Sequence, residues 1–313
     1  MELRQIRYFL GVCEAGSLLK ASTRLHVAQP ALGQQISSLE EELGVKLFER
    51  STKGMLLTAE GRHFQEHAKV ILTDVDRAKE AARLSVSAPQ GQVVLGLPTT
   101  VALAATVPIV QACKQRYPLI RLQVIEAYSG YLREWLQMGR LDLALLFGDE
   151  ADPDLLKRVL LQERLALVAP PHTRQRHSKL RLKALSAMEL VLPTQGHGLR
   201  KIIDDACAQQ GIALNVVAEI DSLTSVKKAV AAGVGHTILS QSSVIEEVRQ
   251  GQLQAITISD TAMTRRVVCA TSITRPTSLA AQAVIALTTD LIRGLVGTGE
   301  WPAQWIGEIR AKR

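Results

Sequence analysis

The chain has 313 residues, 47% of them apolar, and carries 37 Lys and Arg against 30 Asp and Glu, a net charge of +7. That length exceeds one ordinary core and fits two or three domains, and the basic excess points to a polyanionic partner, nucleic acid or an anionic membrane. No uninterrupted apolar run approaches the ~20 residues that cross a bilayer, the charged start Met1-Glu2-Leu3-Arg4-Gln5 does not read as a secretory signal, and Cys13, Cys113, Cys207 and Cys269 stand too far apart for a disulfide framework or zinc ribbon.

Short helices come first. Leu3, Ile6, Phe9, Leu10 and Cys13 share one helix face. Gly16-Ser17 interrupts it, Leu18 to Leu25 forms a second helix, and His26-Val27-Ala28 is a tight turn. A third helix from Gln29 to Leu43 stops at Gly44, a typical residue just past a helix end. Arg50 to Leu57 reads as a small hairpin with Gly54 at its turn, and Thr58 has the chemistry of an N-cap. From Ala59 to about Val86, Phe64, Ala68, Ile71, Val75, Ala78 and Ala82 repeat at heptad spacing, while Lys69, Asp76, Arg77, Lys79, Glu80 and Arg83 occupy the other face. A narrow apolar seam on a long charged helix calls for a second helix.

After the linker Ala88-Pro89-Gln90-Gly91, strands and helices alternate. Strands are expected at 92–97, 120–125, 141–147, 161–168, 189–192, 216–220, 237–239 and 267–273. Helices are expected at 101–116, 129–138, 199–210, 223–232 and 278–293, and the alternation implies parallel sheets with right-handed crossovers. The region suits two lobes.

In the third helix Leu32, Ile36, Leu39 and Leu43 form the buried face, and Gln34, Ser37 and Glu41 lie opposite. Gln29 and Pro30 stand at its N-terminus, where a helix entering the major groove meets base edges. A Gln amide pairs bidentately with adenine, and Arg50, Ser51, Thr52 and Lys53 suit phosphate contacts. Residues 1–62 hold eight basic and seven acidic side chains, so the basic excess is not concentrated there.

Glu14-Ala15-Gly16-Ser17-Leu18, His26-Val27-Ala28-Gln29-Pro30-Ala31-Leu32, Ile36 through Arg50 and Leu57-Thr58-Ala59-Glu60-Gly61 closely resemble the signature of LysR-type transcriptional regulators. Within that family the chain is similar to the nitrogen-assimilation-control branch. The resemblance implies an α/β protein: an N-terminal, mainly α-helical winged helix-turn-helix (1–58), a long linker and dimerisation helix with hinge (59–90), and a two-lobed periplasmic-binding-protein-like α/β effector domain (91–295). Lobe I is expected at 91–162 and 265–295, lobe II at 163–264, and a docked or frayed tail at 296–313. It implies DNA contacts from Ser17, Gln29, Pro30, Gly33, Gln34, Ser37, Arg50, Thr52 and Lys53. It also implies a homodimer or homotetramer on operator DNA in the cytoplasm, with RNA polymerase as a further partner to consider and no membrane. Ala28 replaces the family's usual Ser cap, a loss of about 1 kcal/mol of helix stability, and Gly33-Gln34 replace a frequent Ser-Arg pair: Gly33 weakens the helix by about 1 kcal/mol against Ala, and Gln34 carries no charge to the DNA.

Open α/β sheets bind ligands beyond the carboxyl ends of strands, at helix N-termini. Thr99, Thr100, Ser129, Thr194 and His197 stand at such junctions and are the candidate contacts for a small polar or anionic metabolite; Ser222 and Thr224 follow another strand. The strand end Phe147-Gly148-Asp149-Glu150 has no Arg close to it in sequence, which disfavours an aromatic carboxylate. The branch resemblance leaves open whether an inducer exists.

Enzyme readings find little. His63-x-x-Glu66-His67 fits an inverted zinc-peptidase pattern, but no separate ligand-bearing helix accompanies it. No nucleophile elbow, phosphate loop or catalytic triad spacing is present, and no cofactor or metal is expected. A solute-binding protein would need export, and a hydrolase would need a nucleophile–base pair; neither is visible.

Overall fold

A computed structural model describes residues 1–51, 54–82, 88–171, 173 and 179–307. Thr52 and Lys53, Arg83, and the basic tail residues Arg310, Lys312 and Arg313 lie outside the described residues, as do the side chains of Arg50, Ser51, Arg77, Glu80 and Ala82. The chain divides into two compact units, Met1–Ser87 and Ala88–Arg313.

The first unit contains α1 (Leu3–Ala15), α2 (Leu18–Leu25), α3 (Gln29–Leu43), strands β1 (Phe48–Ser51) and β2 (Gly54–Leu57), and α4 (Ala59–Ala82). Helices α1, α2 and α3 end on residues in the left-handed region: Gly16, His26 and Gly44. Ile6, Phe9, Val12, Leu32, Ile36 and Leu39 build the core with Leu47 and Phe48 from the wing. Gly54 is not the tip of the hairpin but the first residue of β2, paired with Ser51. A methyl on it would lie 2.4 Å from the Gly16 carbonyl, so the wing seats against the α1–α2 turn only through glycine.

The first turns of α4 pack inward, not toward a second helix as the heptad spacing suggests. Phe64 meets Phe9 edge-on at 4.9 Å, and Ala68 is fully buried in the same core. The first turns of the proposed seam therefore close the head's own core, because Phe9 and Phe48 leave an aromatic-sized gap that α4 fills. Val75 and Ala78 remain outside the core.

The second unit begins with β3 (Gly91–Leu97), α5 (Thr99–Arg116), β4 (Ile120–Glu126), α6 (Ser129–Gln137), β5 (Leu143–Phe147) and the long β6 (Leu155–Ala169). There follow β7 (Lys179–Leu180), β8 (Glu189–Leu192), α7 (Gly198–Ala208), β9 (Asn215–Glu219), α8 (Leu223–Ala231), β10 (Thr237–Ser240), α9 (Ile245–Arg249) and β11 (Gln254–Ile258). The unit closes with β12 (Thr264–Ser272), α10 (Leu279–Thr298) and β13 (Ala303–Trp305).

The unit's cores separate into lobes. β3, β4, β5 and the first half of β6 pack under α5 and α10 on one face and α6 on the other. The second half of β6 shares another core with β8, α7, α8, β10 and β11. Lobe I pairs β4-β3-β5 in parallel, as strand–helix alternation implies. Between the lobes the sheet is antiparallel rather than parallel: β12 runs against both β5 and β6, and β10, β11 and β13 run against β6. The chain leaves lobe I along β6 and returns along β12; adjacent crossings in opposite directions can pair only this way. The apolar helix α10 is 20 residues long and buries Ala281, Val284, Leu287 and Ile292 in lobe I, whose edge also takes the fully buried Trp301.

Candidate functional site

In the head, Leu32, Ile36 and Leu39 bury one face of α3, which leaves Gln29, Pro30, Gln34 and Ser37 exposed on the other. Among the described residues the side chains of Gln29, Gln34 and Ser37 make no hydrogen bond that would hold them inward. Ala28 offers no cap, as its lack of a side-chain oxygen dictates. Pro30 at the second helical position softens that loss, since it brings no N–H to be satisfied. Gly33 is half-buried with open space where a Cβ would go. Ser17 sits at the N-cap of α2 in extended conformation without capping it, so its hydroxyl is uncommitted there.

Glu40, a residue the sequence reading left unassigned, fixes the path from α3 into the wing. Its carboxylate accepts the backbone N–H groups of Leu47 and Phe48 at 2.9 and 3.2 Å and Lys46 Nζ at 2.7 Å. Burial pushes its pKa up, but the Lys46 bond and the two amides outweigh that and hold it below the usual value. Its signal was a charge on the helix flank nearest the wing.

In the second unit, Thr99, Thr100, Ser129, Thr194 and His197 all line one cleft of about 860 Å³. The N-termini of α5, α6, α7 and α8 open onto it. Some polar atoms there already have work. Thr194 donates its N–H and hydroxyl to Asp221 at 2.9 and 3.0 Å. His197 caps α7 by accepting the Leu199 N–H on Nδ1 at 3.1 Å, which assigns its proton to Nε2. Burial lowers the pKa of that imidazole; Asp221 pulls it up and Arg265 pushes it down, and the net shift is downward. Ser222 caps α8. Tyr128 joins the two lobes, donating its hydroxyl to the Asp221 carbonyl at 3.1 Å and meeting the His197 ring edge-on at 5.1 Å.

No Arg is close to Phe147 in sequence, but the fold brings one beside it. Arg265 lies 3.8 Å over the Phe147 ring, brought there by β12, whose Val267 is the partner of Phe147. Arg265 pairs across the strands with Glu163: Nε to Oε2 is 2.7 Å, and the side chains are 3% and 1% exposed. Nη2 donates to Thr100 Oγ1 at 2.8 Å and Ser240 Oγ at 3.0 Å. Glu163 Oε1 accepts from Ser242 Oγ at 2.6 Å and Trp301 Nε1 at 2.7 Å. One buried ion pair thus ties lobe I, lobe II and the C-terminal segment at the floor of the cleft. A sequence signal existed: Gln162-Glu163-Arg164 and Thr264-Arg265-Arg266 interrupt apolar strands, and buried charges occur where partners await them.

His63, Glu66 and His67 are exposed on α4, and no group of metal-ligating side chains occurs among the described residues. Cys113, Cys207 and Cys269 are buried, and burial drives the thiols of Cys207 and Cys269 up to about 11 and about 12. Such thiols hold their protons and do not act as nucleophiles.

Residues 3–62 match the family described as bacterial regulatory helix-turn-helix protein, lysR family, and residues 87–293 match the LysR substrate binding domain. The chain is 33% identical over 301 residues to the HTH-type transcriptional regulator BbuR of Bordetella bronchiseptica, covering 95% of this chain and 92% of that protein. It is 33% identical to the nitrogen assimilation regulatory protein nac of Klebsiella aerogenes, covering 78% of this chain and 79% of that one. It shares its fold with full-length CbnR complexed with its target DNA, at a TM-score of 0.69, 24% identity, and coverage of 94% and 99%.

Proposed function

The chain belongs to the LysR family, DNA-binding transcriptional regulators with an effector domain and not enzymes, and on that premise we propose how this member works. It binds operator DNA as a homodimer or homotetramer in the cytoplasm. The exposed first turns of α3 enter the major groove, with Gln29 reading a base edge and Gln34 and Ser37 beside it; Ser17 and the wing residues Arg50, Thr52 and Lys53 hold phosphates. Val75 and Ala78 of α4 join the subunits. A small polar or anionic metabolite in the cleft, touching Thr99, Thr100 and Ser129, shifts the balance between open and closed lobes and so the spacing of the heads. The observation that carries the reading is the exposed face of α3: among the described residues Gln29, Gln34 and Ser37 lack internal partners, while Leu32, Ile36 and Leu39 are packed on the opposite face and Leu43, expected with them, is exposed at the helix end.

The test is binding to the DNA upstream of the gene, measured against salt. Log affinity should fall linearly with log salt as counterions are released. Arg50→Ala should weaken binding to all sequences and flatten that slope, whereas Gln29→Ala should erase preference between sites. An unchanged footprint with Gln29→Ala removes its base-reading role.

A further inference from the structure

The floor of the cleft holds donors that the fold leaves unused. Arg265 spends Nε and Nη2 on Glu163, Thr100 and Ser240; the two N–H groups of Nη1 make no hydrogen bond among the described residues. Thr237 is 0% exposed and lines the same cleft, yet its Oγ1 has no partner among the described residues. The Oγ of Ser129, in the first turn of α6, is equally sealed and unpartnered. A buried hydroxyl without a partner has lost its hydrogen bonds to water and gained none in return, so each such group calls for an explanation. These donors, with the first turn of α5 beside them, suit an oxyanion.

The other charges have the opposite sign. Asp221, Glu126 and Glu134 line the cleft, and Arg265 is the single Lys or Arg among the described residues that do so. Glu163 already balances Arg265. A ligand carrying only negative charge would meet net repulsion on entry. Asp221 is held in place by Thr194, and a carboxylate offers about four acceptor positions, of which the N–H and the single hydroxyl hydrogen of Thr194 fill two, the hydroxyl lying 3.0 Å from both oxygens. Asp221 and Arg265 line the same cleft, so both charges face its interior.

We propose that the ligand is an amphoteric metabolite of the α-amino-acid class, its carboxylate held at the floor by Arg265, Thr237 and the first turn of α5, and its ammonium by Asp221. This rests on the cleft being the effector site. Because the Asp221 carbonyl also receives the Tyr128 hydroxyl, an ammonium held there would strengthen the bridge between lobes and favour closure.

The experiment uses the full-length protein, with thermal shift followed by calorimetric titration. The probes are the proteinogenic L-α-amino acids, each accompanied by its deaminated acid and its carboxamide, and a parallel panel of neutral sugars and nucleosides. At least one amino acid should raise the melting temperature, and its deaminated acid and its amide should each bind at least roughly ten-fold more weakly, the expected loss of about one charge-assisted hydrogen bond. Asp221→Asn should bring the deaminated acid level with the parent. Thr237→Val should weaken the amino acid by roughly ten-fold without lowering the melting temperature of the ligand-free protein, since it deletes only an unpaired hydroxyl. A deaminated acid that binds as tightly as its parent overturns the proposal. So does a neutral compound as the sole binder; if Thr237→Val weakens that compound, the cleft still stands as the effector site. If nothing in either panel binds, the cleft reading falls with the proposal.

Discussion

Replacing Glu163 by Gln asks whether charge holds the floor of the cleft. Its carboxylate accepts Arg265 at 2.7 Å, Ser242 at 2.6 Å and Trp301 at 2.7 Å, at 1% exposure. Glutamine keeps the shape but has one acceptor oxygen for three donors, and it leaves the Arg265 cation buried without a counter-ion. Removing one member of a buried pair costs about 3–5 kcal/mol, a large share of the ~5–15 kcal/mol that holds a typical domain together. For a unit of this size each kcal/mol moves the melting temperature by about 2–4 °C, so Glu163→Gln should melt roughly 6–20 °C lower in scanning calorimetry. Arg265→Met in the Glu163→Gln background removes the unpaired charge and should recover part of that loss. The reasoning is refuted if Glu163→Gln costs less than about 1 kcal/mol, well below the range for a broken buried pair, or if the double variant melts below Glu163→Gln alone.

Other perturbations test the head and the linker. Glu40→Gln should destabilise the head at neutral pH by about 1–3 kcal/mol, since its NH2 replaces the oxygen that accepts Lys46 and the two backbone amides keep only a neutral acceptor. Because the folded pKa of Glu40 lies below its unfolded value, its stabilisation is complete above the unfolded pKa and is lost as pH falls through the folded one. The gap between wild type and Glu40→Gln in denaturant melts should therefore narrow in acid, and a gap that widens would contradict the assignment. Gly33→Ala meets no atom within 4 Å and should stabilise α3 by about 1 kcal/mol, seen as a higher melting temperature, while the added methyl on the DNA-facing surface should lower operator affinity. Val75→Asp should give a smaller species in sedimentation and abolish operator binding, because a carboxylate between apolar helix faces cannot stay solvated; a variant that remains dimeric and binds would move the subunit contact to another surface.

Local signals in the chain were strong where local physics is decisive. Gly16, Gly44 and the 3.6-residue spacing of Leu32, Ile36 and Leu39 mark the ends and faces of the first helices, and the structure places those elements within a residue or two of the reading. The alternation after Gly91 likewise located most helices and strands, because an apolar block bounded by turn residues has few other solutions. It missed β11, whose Gln254-Ala255-Ile256-Thr257-Ile258 is short and half polar, and the first half of β6, where Lys157 and Arg158 break the apolar run.

Pairing between distant segments was beyond the reach of sequence. Periodicity shows that Phe64 faces something apolar, but not whether the partner is Phe9 of the same head or a second helix; only the packed core decides. Thr99, Thr100, Ser129, Thr194 and His197 were legible as candidates because each follows a strand at a helix start, a local arrangement. Their convergence on one cleft, and the arrival of Arg265 over Phe147 and opposite Glu163, depend on β12 returning antiparallel beside β6. Sequence distance carries no information about such a pair 102 residues apart. A chain thus declares in its own pattern which residues must be buried and which segments must turn, since those follow from backbone sterics and water; which buried charge meets which is set only when the lobes close on each other.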